Sequence, residues 1–180
     1  ISYNRFSSST EQPSYEIDLP NAGTSYVIGN VIQQPAANQA ATLLSYGEEG
    51  ASNPGQDLYV VNNTFLNDDS VRGTFIQVGS GVTTPVLMQN NIFAGTGEAT
   101  TQTNAIDKTN FRSLLPPLLN RAAFDLHPLA GSLLAGAGSA VGVAASGVSL
   151  LPTLQYKDPA GTEQRPVGAA IDIGAYAVAQ

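Results

Sequence analysis

The sequence predicts an all-β fold, a right-handed parallel β-helix (a solenoid) with an irregular C-terminal cap, and three observations predict it. The first is an imperfect repeat: ISYNRF (1–6), SYVIGNVI (25–32), LYVVNNTF (58–65) and VLMQNNIF (86–93) align on Asn4, Asn30, Asn63 and Asn91, spaced 26, 33 and 28 residues apart. Two residues after each asparagine stands Phe6, Ile32, Phe65 or Phe93, and three before it stands Ile1, Val27, Val60 or Met88. Period-2 alternation makes these the inward residues of short strands. The alternation slips at the asparagine, a residue that tolerates a left-handed bend, so the aligned asparagine is the expected bend position. Stacked coils would also let these amides form a hydrogen-bonded ladder. The second observation is another column: YEIDLPNAG (15–23), TLLSYGEEG (42–50) and TFIQVGSG (74–81) align without gaps on Ile17, Leu44 and Ile76, 27 and 32 residues apart. Two columns advancing together at intervals of roughly 20 to 50 residues describe a solenoid. The third is composition: charged residues are only 12%, tryptophan is absent and glycine numbers 18, which suits thin aliphatic stacks and tight turns. The handedness follows from the chirality of parallel crossovers.

Taken in order, residues 1–6 read as the end of a rung without its beginning, an exposed edge that needs a partner. The expected partners are N-terminal β-helix rungs of the same parent chain or, alternatively, an end-to-end copy. Residues 7–13 are a polar loop. Tyr15–Pro20 is the next strand, with Ile17 and Leu19 inward and Glu16 and Asp18 outward. Asn21-Ala22-Gly23 turns into the Asn30 strand, and 33–41 is a loop leading to Thr42–Tyr46. Residues 47–57 form a long excursion rich in turn formers and acids. Strands follow at 58–66, 73–79 and 85–93, with Asn67 in the loop after the first of them. The Asn62-Asn63-Thr64 sequon is accounted for by the repeat rather than by glycosylation. The pattern then fades, dividing the chain into rungs over 1–94 and an irregular segment over 95–180 that packs on the helix and caps it.

Net charge is −7, with two lysines and five arginines, so nucleic acid and anionic membrane surfaces are disfavoured partners. No apolar run is long enough to span a membrane. Cysteine is absent, which removes disulfide and thiol chemistry. The sequence also carries no phosphate-binding glycine loop and no zinc spacing.

The segments SYEIDLPNAG, YVIGNVIQQ, SYGEEG, LYVVNNTF and NNIF resemble the C-terminal half of secreted bacterial right-handed β-helix proteins of the pectate-lyase-like superfamily. Phe124, Leu126, Pro128, Ser132 and Gly136, followed by Asp172, Gly174, Ala175 and Tyr176, resemble the closing segment of such proteins, with Leu133 replacing a usual proline. The resemblance implies a secreted or periplasmic, carbohydrate-active protein. Its members include lyases, hydrolases and adhesins, so fold and activity are separate questions.

Glu16 and Asp18 are the candidate metal site, two carboxylates roughly 7 Å apart on one strand face. In lyases of the resembled superfamily such carboxylates hold Ca²⁺, which neutralises a substrate uronate; a solvated strand face is the plain alternative. Arg5 faces outward past Asn4, and the resemblance implies a base at such an arginine. Arg5, Glu16 and Asp18 are therefore the candidate catalytic residues. Glu48 and Glu49 read as solvated loop acids, and His127, the single histidine, as part of the closing segment. Two readings stay open: a Ca²⁺-assisted polysaccharide lyase acting on an anionic glycan, and a non-catalytic β-helix that presents a strand face to glycans.

Overall fold

The computed structural model describes residues 1–7, 13–36, 42–69 and 73–179; most of the expected loop 7–13 and the second half of the loop 33–41 fall outside the described residues. The chain is all-β. Among the described residues thirteen strands build three parallel sheets. Sheet I holds β3 (Ser25–Ile28), β6 (Leu58–Val61), β9 (Leu87–Gln89) and β12 (Ile106–Lys108). Sheet II holds β1 (Arg5–Ser7), β4 (Val31–Gln34), β7 (Thr64–Asn67), β10 (Ile92–Ala94) and β13 (Phe111–Ser113). Sheet III holds β2 (Ile17–Leu19), β5 (Thr42–Tyr46), β8 (Gly73–Val78) and β11 (Gly97–Thr100). The chain visits I, II and III in turn, and each visit stacks in parallel on the one before, an arrangement consistent with a parallel β-helix.

Each turn from sheet I into sheet II takes two residues, and their division of labour corrects the sequence reading. The left-handed residue is the one before the aligned asparagine: Tyr3, Gly29, Asn62, Asn90 and Thr109, with φ from 52° to 67°. The aligned asparagine turns inward instead and carries the ladder. The backbone N–H and the amide of each donate to the side-chain oxygen of the next: Asn4 to Asn30 (3.0 and 3.3 Å), Asn30 to Asn63 (2.9 and 3.0 Å), Asn63 to Asn91 (2.9 and 3.0 Å) and Asn91 to Asn110 (2.8 and 2.9 Å). Such chains polarise one another, and satisfying buried amides is what makes them tolerable in a core.

Inside the coil the predicted columns are in place. Val27, Val60 and Met88 lie in one register, and Phe6, Ile32, Phe65 and Phe93 in another. Phe65 stacks on Phe93 at 5.2 Å between centroids, and Phe75 closes on Phe93 at 5.2 Å. Fully burying such a side chain is worth about 1.5–3 kcal/mol.

The coil does not end at residue 94. β11, β12 and β13 form a further rung, whose Asn110 is the fifth member of the ladder. Its signature was hidden because the positions that continue the apolar columns are Asp107, paired with Met88, and Arg112, paired with Phe93. These two form an ion pair at 2.5 Å, and the guanidinium lies 5.6 Å from the Phe93 ring centre. A terminal rung faces water on one side, so charge replaces hydrocarbon there.

The tail from Leu114 onward packs against sheets I and II, and the charged pair rather than the tail finishes the rung at this end. It contains two antiparallel hairpins, β14 (Leu118–Asn120) with β15 (Asp125–Pro128) and β16 (Leu154–Lys157) with β17 (Gly161–Gln164). One buried cluster joins Val31, Leu66 and Ile92 of sheet II to Leu126, Tyr156, Ile173 and Tyr176; another joins Ile28 and Val61 of sheet I to Ala144 and Leu150. The left-handed asparagines turn outward to hold this tail. Asn62 donates to the carbonyls of Asp172 and Gly174 (2.8 and 3.2 Å), and Asn90 donates to that of Ser139 (2.8 Å). Gly174 sits where a Cβ would lie 2.5 Å from Ile92, so only glycine lets the tail approach this closely.

Candidate functional site

Asp18 lies on β2 at the edge of sheet III, exposed, with buried Ile17 on the other face. Its neighbours across the sheet are Ser45 and then Gln77. Glu16 is half-buried just before β2, and its N–H donates to Leu43. A second outward row runs Thr42, Thr74 and Glu98. Thr42 donates to Gln77 at 2.8 Å, and Thr74 to Glu98 at 3.3 Å. Because Leu43 with Leu44, and Phe75 with Ile76, both turn into the core, the residues flanking each pair share the outer face and align a hydroxyl, amide and carboxylate surface. Among the described residues no group of three or more acids or histidines is placed to hold a metal. Two oxygens of Ca²⁺'s preferred six to eight could come from Glu16 and Asp18, but Asp18's neighbours in register, Ser45 and Gln77, are uncharged.

Arg5 is elsewhere. It is on β1, in sheet II, where alternation turns it outward and away from Phe6, into the tail. Its guanidinium stacks 3.9 Å from the Phe124 ring centre and lies 3.6 Å from Asp158. Its Nε is buried and has no hydrogen-bond partner. The three candidate catalytic residues are therefore not brought together: two carboxylates sit on sheet III and the arginine on sheet II.

Around Arg5 the coil and the tail enclose a hollow of about 210 Å³. Phe124, Tyr156, Asp158 and Tyr176 line it. Burial pushes the Tyr176 hydroxyl well above the ordinary phenol range, with Tyr156 adding to the effect and Arg5 opposing it. It therefore stays a proton donor and is a poor base. Tyr156 is tied down by donating to the Pro159 carbonyl at 2.8 Å. Beside the hollow, His127 Nδ1 lies 2.7 Å from Asp125, and its ring packs 4.6 Å from Tyr176. Gln155 accepts from the Ala177 N–H (3.1 Å), which leaves its amide to face His127 Nε2 at 3.4 Å. His127 is thus held on both nitrogens within the tail's packing.

The sequence flagged Phe124 and Tyr176 only as parts of a closing pattern and passed over Tyr156 and Asp158. No spacing rule could have joined them to Arg5, about 120 to 170 residues away. The chain matches no family model, no curated protein and no solved structure. Among the described residues no helix is long and apolar enough to cross a membrane.

Proposed function

We propose that the chain is a right-handed parallel β-helix of a secreted or periplasmic protein that binds a glycan along the outer face of sheet III. One observation supports this most. The clusters that join the tail to the coil lie on sheets I and II, whereas the outer positions of sheet III carry Asp18, Gln77, Thr74 and Glu98, exposed or half-buried. Strands about 4.8 Å apart offer these groups as a periodic row, suited to a polymer of hydroxylated units. Binding is tested by affinity electrophoresis against soluble plant and bacterial polysaccharides. A retarded wild-type band that Gln77→Ala with Thr74→Ala restores to free mobility supports the reading; equal retardation of the two proteins overturns it.

The exposed Asp18 beside Glu16 favours a second reading, a Ca²⁺-assisted polysaccharide lyase. Unsaturated product would then appear on pectate, alginate or a glycosaminoglycan, depend on calcium, and vanish in Glu16→Gln/Asp18→Asn. Product formation unaffected by chelator or by that variant removes those two carboxylates from any reaction.

A further inference from the structure

The inner columns of the coil lose their hydrocarbon on all three sheets in the same rung. Met88 gives way to Asp107 on sheet I, Phe93 to Arg112 on sheet II and Ile76 to Thr100 on sheet III. In the rungs before, the same columns stay apolar: Val27, Val60 and Met88; Ile32, Phe65 and Phe93; Ile17, Leu44 and Ile76.

The charges also complete what the columns would leave open. The Asn110 amide has no further asparagine to meet, and it donates instead to the Asp107 carboxylate at 2.7 Å and to the Met88 carbonyl at 2.9 Å. Asp107 thus takes the place of the next ladder oxygen. Its other oxygen pairs with Arg112 at 2.5 Å, and that guanidinium covers the last phenylalanine of the stack, 5.6 Å from the Phe93 ring centre. Ladder and ring stack both terminate on groups of the same rung.

The backbone of that rung is not closed in this way. β11, β12 and β13 are the last strands of their sheets, each paired on one edge, and residues 106–109 are exposed. Among the described residues the tail packs against sheets I and II rather than over this end. Three open parallel edges at one end of a coil are a template for further strands.

We infer that Asp107 and Arg112 act as a stop, holding a second copy of this chain off that end of the coil. A copy is the partner that fits the template, because its rungs have the same three-sheet outline and strand spacing. Those rungs would bring apolar columns down onto the pair. Asp107 and Arg112, now 40% and 49% exposed, would lose their water and gain no new hydrogen bonds, and an ion pair buried on such terms is unfavourable. Charges pointing inward at a strand edge oppose pairing for this reason. The role belongs to the end of the coil and stands independently of glycan binding on sheet III.

The test combines sedimentation velocity with hydrogen exchange, each across a wide range of protein concentration. Asp107→Val/Arg112→Phe continues the two columns. Asp107→Asn/Arg112→Gln removes the charges without adding hydrocarbon, and it serves should the first variant not fold. Glu48→Val/Glu49→Phe puts the same apolar groups on an exposed loop as the control. The expected result is self-association of an edge variant at least about tenfold tighter than that of the wild type. Amides of 106–113 should exchange more slowly as its concentration rises. Four outcomes overturn the assignment: neither edge variant associates beyond the wild type, the loop control associates as strongly, association leaves exchange at 106–113 unchanged, or the wild type already shows concentration-dependent protection there.

Discussion

The coil and the tail solve the same problem in opposite ways. In the coil the corner repeats: one amide per rung bonds to the next, and one phenylalanine or aliphatic group stacks on another. In the tail almost nothing repeats. Arg165, 6% exposed, donates to the carbonyls of Ala175 (2.6 Å), Asp172 (3.1 Å) and Tyr176 (3.1 Å). A repeated interaction spreads the loss of one member over its neighbours only if the chain can close the gap. A singular one takes its whole segment with it. The difference teaches where damage should propagate.

The largest expected effect is at the centre of the ladder. Asn63 receives from Asn30 and donates to Val27, Val61 and Asn91, all buried. Asn63→Leu leaves these partners unsatisfied, at about 1–3 kcal/mol each for those that water cannot reach; a total loss of about 4 kcal/mol or more is expected in urea denaturation. A loss below about 1 kcal/mol would mean that the ladder follows from the coil rather than holding it. Asn67, which the sequence placed in a loop, is no control for this experiment: it ends β7, is buried and donates to Thr96 at 2.7 Å.

Arg165→Met comes next. Burial, partly opposed by Asp172, lowers the Arg165 value to about 10, so the group is still charged at neutral pH. Methionine fills the space and strands three carbonyls, for about 3 kcal/mol. Here hydrogen exchange sharpens the comparison: faster exchange should be confined to residues 134–179, with rungs two to four still protected. Uniform acceleration along the whole chain would show that coil and tail unfold as one unit.

The smallest effect belongs to the last rung. Partial burial raises the Asp107 carboxyl, but hydrogen bonds from Arg112 and Asn110, with the Arg112 charge, outweigh it and leave the group below the ordinary carboxylate value. A depressed folded value means that the contribution is complete above the ordinary carboxylate range. It is lost as pH falls through the lowered value. Asp107→Asn should therefore cost well under about 1 kcal/mol at neutral pH, because the pair is half exposed. It should also flatten the fall in melting temperature on the acid side. An unchanged acid limb would remove Asp107 from the ion pair.

How much was legible follows from the same contrast. Asn4, Asn30, Asn63 and Asn91 could be read because a repeat is its own control, and Val27, Val60 and Met88 moved with them. Asn110 was missed because the criterion was apolar, whereas the end of a stack obeys the chemistry of water. The bend was displaced by one residue because Gly29, Asn62 and Asn90 have the same preference for it as the asparagines that follow, and sequence alone does not say which of the pair turns inward. Asp18 is exposed on β2 opposite buried Ile17, as alternation has it, whereas Glu16 precedes the strand, half-buried and level with the core residue Leu43. Arg5 was not joined to its real neighbours, since Phe124, Tyr156 and Asp158 reach it only through tertiary packing of a tail without periodicity.

The ladder's one-way donation also bears on how such a chain can grow. Successive asparagines are 26, 33, 28 and 19 residues apart, yet each makes the same pair of bonds. Length is absorbed by the loops while the corner is kept. A duplicated rung would find a donor below and an acceptor above already in the right sense, and would lengthen the stack by one strand spacing of about 4.8 Å. A rung inserted upside down would set acceptor against acceptor. The molecule is thus open to tandem gain and loss of whole rungs between Asn30 and Asn91, and closed to inversion.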